Sequence, residues 1–436
     1  MAGKAVGRFE ATIGVIGILA LIVTLAMTTG WNPGTSFMGW LDRVTRVSDP
    51  PPTWQLRLGG RPTSAGFTNS AQVIVTSPGL VEAHRLDNGG LIWRHKAPWG
   101  TAAGDVAVMG RGGRGYAVVD PASGAIIWEE TQAGAVWAYT DLLLDLTCPN
   151  ASGCTLRARG HRGNGDVVWS VPLPGNGRKV SGLNPDLLDT RNPAGWAAPA
   201  VSGSPGPAPS VIALAIDGRP MVVDLVEGRL VRQLDPPGQL ARVSVAAGRL
   251  VLTRSLRGGD GCRFEVEGTD YQTGTSVWRH EGYNLDTADQ IGCEQRREPL
   301  GSGGLLSAVR GDNHPVLLDA ADGSERWTGE VGEKVLATDG ALAVIESADR
   351  QNVRIIDLLD SGRQAWTARL GENPEAAVTP TAVLVHDRTK NRLIVLSRAG
   401  TVLHNLKSDA NLIGYGPDGI VLTSGRSIGV IRFTSV

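Results

Sequence analysis

The chain of 436 residues has little of what catalytic and nucleic-acid-binding proteins commonly use. It contains 4 cysteines, 7 histidines, 5 tyrosines and 5 phenylalanines, and its 42 basic residues almost balance its 43 acidic ones. No polybasic stripe is present, which argues against nucleic acid as a partner. The sequence also lacks a Walker loop, an EF-hand loop and the motifs H-E-x-x-H and G-x-S-x-G. Nucleotide, calcium, zinc and serine-hydrolase sites of the familiar kinds are therefore not indicated.

Glycine, proline and tryptophan are plentiful, and tryptophan recurs in a fixed spacing. The chain has 58 glycines, 25 prolines and 12 tryptophans. Six tryptophans complete the pattern G-x-x-x-W, at Gly89/Trp93, Gly124/Trp128, Gly165/Trp169, Gly274/Trp278, Gly323/Trp327 and Gly362/Trp366. Two further frames, Gly228/Arg232 and Gly400/His404, keep the spacing without tryptophan. The frames lie 35 to 63 residues apart, which is typical of propeller blades.

Each frame predicts a tight turn between two antiparallel strands. An apolar run comes first, and in several frames an aspartate stands four residues before the glycine. The carboxylate can accept hydrogen bonds from turn N–H groups, and glycine tolerates a positive φ. The predicted turn residues are Asp120, Gly124, Asp270, Gly274, Asp319 and Gly323. The tryptophans then lie early in the next strand, where they are predicted to anchor neighbouring blades: Trp54, Trp93, Trp128, Trp169, Trp278, Trp327 and Trp366.

This pattern, clearest at 116–128 and 316–327, resembles the repeat of the PQQ-like (quinoprotein-type) β-propellers. Because no enzyme signature accompanies it, the chain is most similar within that superfamily to the non-catalytic propellers of the outer-membrane assembly lipoprotein type. A PQQ-dependent dehydrogenase would imply a vicinal disulfide, calcium ligands and a catalytic aspartate, and adjacent cysteines are absent. We therefore predict no catalytic, cofactor-binding or metal-binding residue. No cysteine lies near the end of the N-terminal apolar segment, so lipid anchoring is not supported, which is a departure from the resemblance.

The predicted fold is all-β, a single propeller of four-stranded blades over residues 54–436. Trp54 opens a strand that we expect to complete a blade with two strands at the C-terminus, 419–423 and 427–433. Nine units can be counted in this way. We predict eight blades, with seven as the alternative, and expect one degenerate frame near Gly228 or Gly165 to be an irregular or shared strand pair.

Residues 11–29 form an uncharged apolar stretch long enough to cross a bilayer as a helix. Lys4 and Arg8 precede it, so the positive-inside rule predicts a cytoplasmic tail at 1–10 and an extracytoplasmic propeller. Residues 30–53 are predicted to be a stalk. The expectation is a single-pass signal anchor in the cell membrane, with the lipid bilayer as a partner; a cleaved signal peptide is the alternative.

The four cysteines fit an oxidising compartment. We predict the pairs Cys148–Cys154 and Cys262–Cys293 among three possible connectivities. Four buried free thiols are the alternative interpretation.

The sequence leaves two functional hypotheses. The first is a scaffold that binds an envelope protein, in envelope assembly or secretion. The second is a small-molecule or glycan-binding sensor, or a divergent quinoprotein-like enzyme, using the central channel with Trp99, Trp137 or Trp196 for stacking. Trp196 lies in a Pro/Gly-rich insertion at about 172–210, which is either a partner-binding loop or a linker. A channel closed by aliphatic side chains would weaken the second hypothesis.

Overall fold

The chain divides into two compact units, Met1–Arg46 and Val47–Val436. The computed structural model describes residues 46–150, 153–182, 190–191, 202–203, 205–258, 261–288, 292–295, 297, 299, 301–302, 304–360, 362–371 and 374–433. The predicted cytoplasmic tail, membrane span and most of the stalk lie outside the described residues, as does Trp196. Within these ranges, no helix is long and apolar enough to span a membrane.

The described part of Val47–Val436 forms nine β-sheets, each built around four antiparallel strands. We number the sheets as blades 1 to 9 and give the strands of each from the inside of the ring outward. Blade 1 is β2 (Ser64–Phe67), β3 (Gln72–Ser77), β4 (Leu80–Arg85) and β5 (Leu91–His95). Blade 2 is β6 (Gly100–Ala103), β7 (Val106–Gly110), β8 (Tyr116–Val119) and β9 (Ile126–Glu130). Blade 3 is β10 (Ala135–Ala138), β11 (Leu143–Asn150), β12 (Gly153–Arg159) and β13 (Val167–Leu173). Blade 4 is β14 (Val180–Gly182), β17 (Val211–Ile216), β18 (Arg219–Asp224) and β19 (Arg229–Gln233). Blade 5 is β20 (Ala241–Ala246), β21 (Arg249–Gly258), β22 (Gly261–Asp270) and β23 (Ser276–Glu281).

The remaining blades follow the same order. Blade 6 is β24 (Tyr283–Asn284), β26 (Leu305–Arg310), β27 (Pro315–Asp319) and β28 (Glu325–Thr328), with β25 (Gly301–Ser302) also paired to β26. Blade 7 is β29 (Lys334–Thr338), β30 (Leu342–Glu346), β31 (Asn352–Asp357) and β32 (Arg363–Arg369). Blade 8 is β33 (Glu375–Val378), β34 (Ala382–Asp387), β35 (Arg392–Ser397) and β36 (Val402–Lys407). Blade 9 is β37 (Asn411–Gly416), β38 (Gly419–Ser424), β39 (Ser427–Arg432) and β1 (Trp54–Arg57). Two short strands of the insertion, β15 (Thr190–Arg191) and β16 (Ser202–Gly203), pair with β10 and β37.

The all-β propeller predicted from the sequence is confirmed, but the prediction of eight blades, with seven as the alternative, is wrong. The frames at Gly165 and Gly228, one of which we expected to be an irregular or shared strand pair, belong to two complete sheets, blades 3 and 4. Arg232 explains why the frame survives the loss of tryptophan in blade 4. Its Nε donates to the Tyr271 carbonyl oxygen (3.0 Å), and its guanidinium packs on Gly274 of blade 5.

Blade 9 joins the two ends of the propeller. β1 pairs antiparallel with β39, with Trp54 opposite Val430 and Arg57 opposite Ser427. Apolar clusters fill the spaces between blades, as where Trp54, Phe67 and Val430 pack together at the boundary of blades 9 and 1. β1 covers the edge of β39, so the ring closes with blade 9 as a complete four-stranded blade.

A β-bulge recurs between the third and fourth strands of blades 1 to 8. In blade 2, Val118 pairs with Trp128 and Val119 pairs with Ile126, which leaves Ile127 as the extra residue. The extra residue always precedes the tryptophan position: Ile92, Ile127, Val168, Val231, Val277, Arg326, Ala365 and Leu403. A bulge twists the outermost strand and so disfavours pairing with another sheet edge.

Candidate functional site

The glycine and the tryptophan of the repeat meet across blade boundaries. Gly124 of blade 2 has φ +77°, and a Cβ added there would lie 2.6 Å from Trp93 Cγ of blade 1. The Trp93 indole N–H donates to the Pro121 carbonyl oxygen (2.9 Å) in the same turn of blade 2. A frame with tryptophan therefore supplies that side chain to the next blade, and its glycine covers the residue at the tryptophan position of the preceding blade.

This contact repeats around most of the ring. The indole N–H groups donate to backbone oxygens of the following blade: Trp54 to Leu86, Trp93 to Pro121, Trp128 to His161, Trp169 to Leu225, and Trp278 to Ala320. At the other two frames the glycine alone makes the contact: the added Cβ positions at Gly362 and Gly400 lie 3.7 Å from Trp327 Cδ1 and 3.3 Å from Trp366 Cβ. All seven predicted anchors thus lie at blade boundaries.

The turn aspartates are occupied by local hydrogen bonds. Asp120 accepts from the Ser123 hydroxyl (2.7 Å) and the Ala122 N–H (2.9 Å), and these bonds lower its pKa. Asp270 accepts from the Thr273 N–H (2.7 Å), which lowers its pKa in the same way. Asp319 accepts from the Ala321 N–H (2.9 Å) and from Arg326 (2.6 Å). Carboxylates held in this way stabilise turns and are poorly suited to general acid chemistry.

Two disulfide bonds, Cys148–Cys154 and Cys262–Cys293, are present in the pairing expected from the sequence. The first lies in blade 3, where β11 leads into β12. The second joins the start of β22 in blade 5 to a segment that follows β24 of blade 6. Only the second bond connects different blades.

The innermost strand of blade 2 carries small side chains, and the two described tryptophans proposed for stacking pack into apolar cores. Trp137 does so from the innermost strand of blade 3. Gly100–Ala103 (GTAA) is entirely buried, and a Cβ added at Gly66 would lie 3.2 Å from Ala102 Cβ. Trp137 is 2% exposed and packs in the apolar core between blades 3 and 4, and Trp99 packs against the core cluster of blade 2. Neither indole lines a described cavity. Close packing of this kind leaves little room for a ligand along the inner strand of blade 2.

One cavity of about 630 Å³ lies where the turns of blades 1, 2, 3, 7, 8 and 9 converge. Arg398 Nη1 in its wall donates to Asp339 Oδ2 (2.5 Å) and to the Thr379 carbonyl oxygen (2.8 Å). Pro205 and Gly206 of the insertion line the same cavity. The charged pair in this wall is therefore already used to join blades 7 and 8.

The insertion predicted at about 172–210 includes residues that belong to regular strands. It overlaps the end of β13 and contains all of β14, β15 and β16. β15 pairs with the inner strand of blade 3, and β16 pairs in parallel with the inner strand of blade 9. The described parts of the insertion thus contact inner strands on two separate blades.

A larger cavity of about 920 Å³ lies between blades 5 and 6 and was not foreseen from the sequence. β21 and β22 have 10 residues each, more than any other described strand, so their hairpin extends beyond the blade. The Cys262–Cys293 bond and a hydrogen bond from Arg257 to the Gly292 carbonyl oxygen (3.3 Å) hold this hairpin. Two features could have indicated this cavity: the unequal strand lengths and the cysteine beside the Gly-rich tip of the hairpin.

We call this cavity the blade 5 groove; its walls combine apolar and charged residues. It is lined by Leu256, Gly261, Cys262, Arg263, Phe264, Glu265, Arg279, Glu281, Gly282, Asn284, Asp286, Val309, Arg310, Gly311 and Asn313. Leu256 and Val309 are 49% and 36% exposed. Glu265 accepts from Arg279 (2.5 Å) and Arg254 (2.8 Å); burial alone would raise the pKa of Glu265, but these two guanidinium groups lower it.

No group of three or more metal-ligating side chains occurs among the residues that the structure describes. The blade 5 groove offers the chemistry of a docking surface, because exposed apolar side chains lie beside hydrogen-bonding groups.

Comparison with known proteins agrees with the propeller fold. No curated protein matches the chain. A solved structure of a eukaryotic initiation factor has 11% identity and a TM-score of 0.50, covering 82% of this chain and 90% of that one. BamB from Moraxella catarrhalis has 14% identity and a TM-score of 0.41, covering 87% and 98%. The computationally designed Ika8 protein has 11% identity and a TM-score of 0.45, covering 87% and 99%. Likeness at these identities concerns the fold alone.

A family comparison adds sequence-level support over part of the chain. Residues 262–411 match the model of the family described as outer membrane protein assembly factor BamB. The matched segment begins at Cys262 and runs through blades 6, 7 and 8. The resemblance predicted from the repeats is thereby confirmed: the chain resembles the PQQ-like β-propellers of the outer-membrane assembly type.

Proposed function

We propose that this protein is a membrane-tethered, extracytoplasmic propeller that binds another protein as a scaffold, in envelope assembly or secretion. Residues 11–29 serve as the anchor, with residues 1–10 in the cytoplasm. The blade 5 groove is the docking site. The family match to an outer-membrane assembly factor supports this class of function.

The observation that carries the proposal is the braced hairpin of blade 5. It extends beyond its blade, is tied by a disulfide to a segment after β24, and borders a cavity of about 920 Å³. Leu256 and Val309 expose apolar surface in this cavity. A rigid groove with exposed apolar side chains loses little conformational entropy when a partner binds.

The alternative, a ligand-binding or enzymatic channel, has less support. The inner strand of blade 2 is closely packed, and the Arg398–Asp339 pair in the wall of the smaller cavity is engaged between two blades. The turn aspartates are likewise held by backbone N–H groups. These groups would need to break existing bonds before they could act on a substrate.

Site-specific photo-cross-linking in living cells tests the scaffold. A photoreactive amino acid replaces Leu256 in the full-length protein, and a matched control carries it at Leu359, which is 81% exposed on blade 7. We expect a discrete protein adduct from position 256 and none from position 359. An absence of protein adducts at position 256, or equal labelling from both positions, would count against the groove as a docking site.

The tether is tested in the same cells. The full-length protein is expected in the membrane fraction after carbonate extraction, and a chain beginning at residue 46 and given a cleavable export signal should be released as soluble protein. Recovery of the full-length protein in the soluble fraction would contradict the anchor.

A further inference from the structure

We infer that the blade 5 groove binds an extended segment of a partner protein in which an apolar side chain stands next to a lysine or arginine. This inference rests on the proposed function, since it names the chemistry of the partner at the same site. It follows from how apolar surface, hydrogen-bond acceptors and charges are distributed along the groove.

The apolar part of the groove lies beside the hairpin. Leu256 on β21 and Val309 on β26 are 49% and 36% exposed, and the half-buried Phe264 on β22 also contributes to the lining. Leu256 and Val309 come from different blades and border the same groove only because the hairpin extends beyond blade 5. Leu256 pairs with Arg263, so Phe264, the next residue, lies on the opposite face of the hairpin from Leu256. One aliphatic or aromatic side chain from a partner would remove this surface from water.

The polar part of the groove requires a donor. Asn284 is 8% exposed, and its Oδ1 has no hydrogen-bond partner among the described residues. A buried acceptor without a partner is costly, and an amide oxygen can only accept. Asn284 lines the groove, and a rotation of its buried amide toward the groove would let an occupant supply the missing donor.

A cationic donor fits the carboxylate of Glu281, which Arg279 attracts only at longer range than an ion pair. Glu281 is exposed in the groove near Asn284, and no described residue forms an ion pair with it. The neighbouring Arg279 donates to Glu265 (2.5 Å), while Arg310 is paired with Asp312 (2.8 Å) and Glu325 (3.2 Å). The cations of the groove that lie near Glu281 are thus already engaged with other carboxylates.

Arg263 sets the direction of the bound segment. It is exposed near the hairpin tip, next to Cys262, and would repel a basic side chain at that end. The basic residue of the partner is therefore expected at the Glu281 and Asn284 end, with its apolar neighbour against Leu256 and Val309. Asp286 at the same end is already paired with Arg297 (3.4 Å), so Glu281 is the carboxylate left for the basic residue.

Selection of peptides on the full-length protein in detergent tests the inference. The probe is a phage-displayed library of random 12-residue peptides, and enriched sequences are expected to pair an apolar residue with a nearby lysine or arginine. A synthetic peptide of the enriched sequence should bind Glu281→Lys about tenfold more weakly, because an attractive charge becomes repulsive. Selection on that variant should favour acidic residues instead.

Two further variants control the result. Leu256→Asp should weaken binding of the peptide by a similar factor. Leu359→Asp changes a leucine on blade 7 that is also exposed (81% against 49% for Leu256) and should leave binding unchanged. Enrichment without basic residues, or affinity that Glu281→Lys does not alter, would overturn the inference. If cross-links at position 256 persist while these peptide results fail, only the partner chemistry is wrong; if the cross-links are absent as well, the docking site itself is wrong.

Discussion

At the residue scale, the repeat depends on a glycine that does two things at once. Gly124 adopts a positive φ in its own turn and leaves room for Trp93 of the preceding blade. The motif could be read from the sequence because its spacing is constant. The residues that the motif contacts could not be read from the sequence. The glycine and the tryptophan of one frame are close along the chain, but the glycine meets the preceding blade and the tryptophan meets the following one.

Two glycine substitutions separate these roles. Gly79 has φ +74° with no atom near an added Cβ, so Gly79→Ala should cost only the left-handed conformation, about 1–2 kcal/mol. Gly124→Ala carries a similar φ penalty and also a contact at 2.6 Å with Trp93, so we expect a total of about 2–5 kcal/mol. Urea unfolding of both variants measures the difference; equal costs would mean that the tryptophan yields without strain.

A buried histidine predicts a fall in stability on mild acidification. Burial lowers the pKa of His84, which is 3% exposed and whose Nδ1 lies 3.0 Å from the Gly89 carbonyl oxygen. Because the unfolded chain takes up the proton first, the stabilisation is complete above the unfolded pKa and is lost as the pH falls through it. The melting temperature should therefore be flat above about pH 7.5 and decrease between about pH 7 and 5.

The variant His84→Gln isolates this contribution. It keeps a donor for the Gly89 carbonyl oxygen but cannot be protonated, so its melting temperature should fall less over the same range. Burial also lowers the pKa values of His161 and His386, so part of the decrease should remain. Identical curves for the wild type and His84→Gln would exclude His84 as a source.

At the element scale, the hairpin of blade 5 is the main departure from regular blades. Alternation and turn residues suffice to predict that two strands exist there, but strand length depends on neighbours that are distant in sequence. The part beyond the blade is supported by Cys293 and by blade 6, neither of which belongs to the local pattern. The bulges were missed for a related reason, since one extra residue before tryptophan changes no spacing of the motif.

Removing the two disulfides should have unequal effects. The Cys262–Cys293 bond spans 31 residues and the Cys148–Cys154 bond spans 6. Loop-closure entropy predicts losses of about 4 and about 2 kcal/mol for the paired cysteine-to-serine variants. Amide hydrogen exchange should rise at 255–258 and 261–264 only in the variant that lacks the Cys262–Cys293 bond. Fast exchange there in the wild type would show that the hairpin is not held.

At the scale of the whole molecule, ring closure through β1 determines whether the blades behave as one unit. Trp54 is 8% exposed, donates to the Leu86 carbonyl oxygen (2.8 Å), and belongs to the strand that completes blade 9. The sequence predicted this closing strand. It did not predict the number of blades, because the count depended on whether arginine could replace tryptophan in the frame of blade 4.

Two shortened chains test the closure. A chain of residues 46–436 keeps β1 and should unfold cooperatively, whereas a chain of residues 59–436 loses Trp54 and exposes the edge of β39. We expect the shorter chain to lose at least the 3–5 kcal/mol that is roughly typical of deleting a buried tryptophan, and to self-associate. Calorimetry and size-exclusion chromatography measure both effects; equal melting temperatures would argue against closure by β1.

The pairing of β1 with β39 also sets a waiting time during biosynthesis. Gln55 leaves the ribosome long before its partner Gly429 has been made. At roughly 5–20 residues per second, the first strand of the propeller waits on the order of 20–75 s for the last. Trp54 can meet Leu86 of blade 1 early, but throughout that interval β1 lacks the strand with which it pairs. A nascent chain of this protein is therefore expected to need a chaperone that protects the open edge of its N-terminal strand until translation ends.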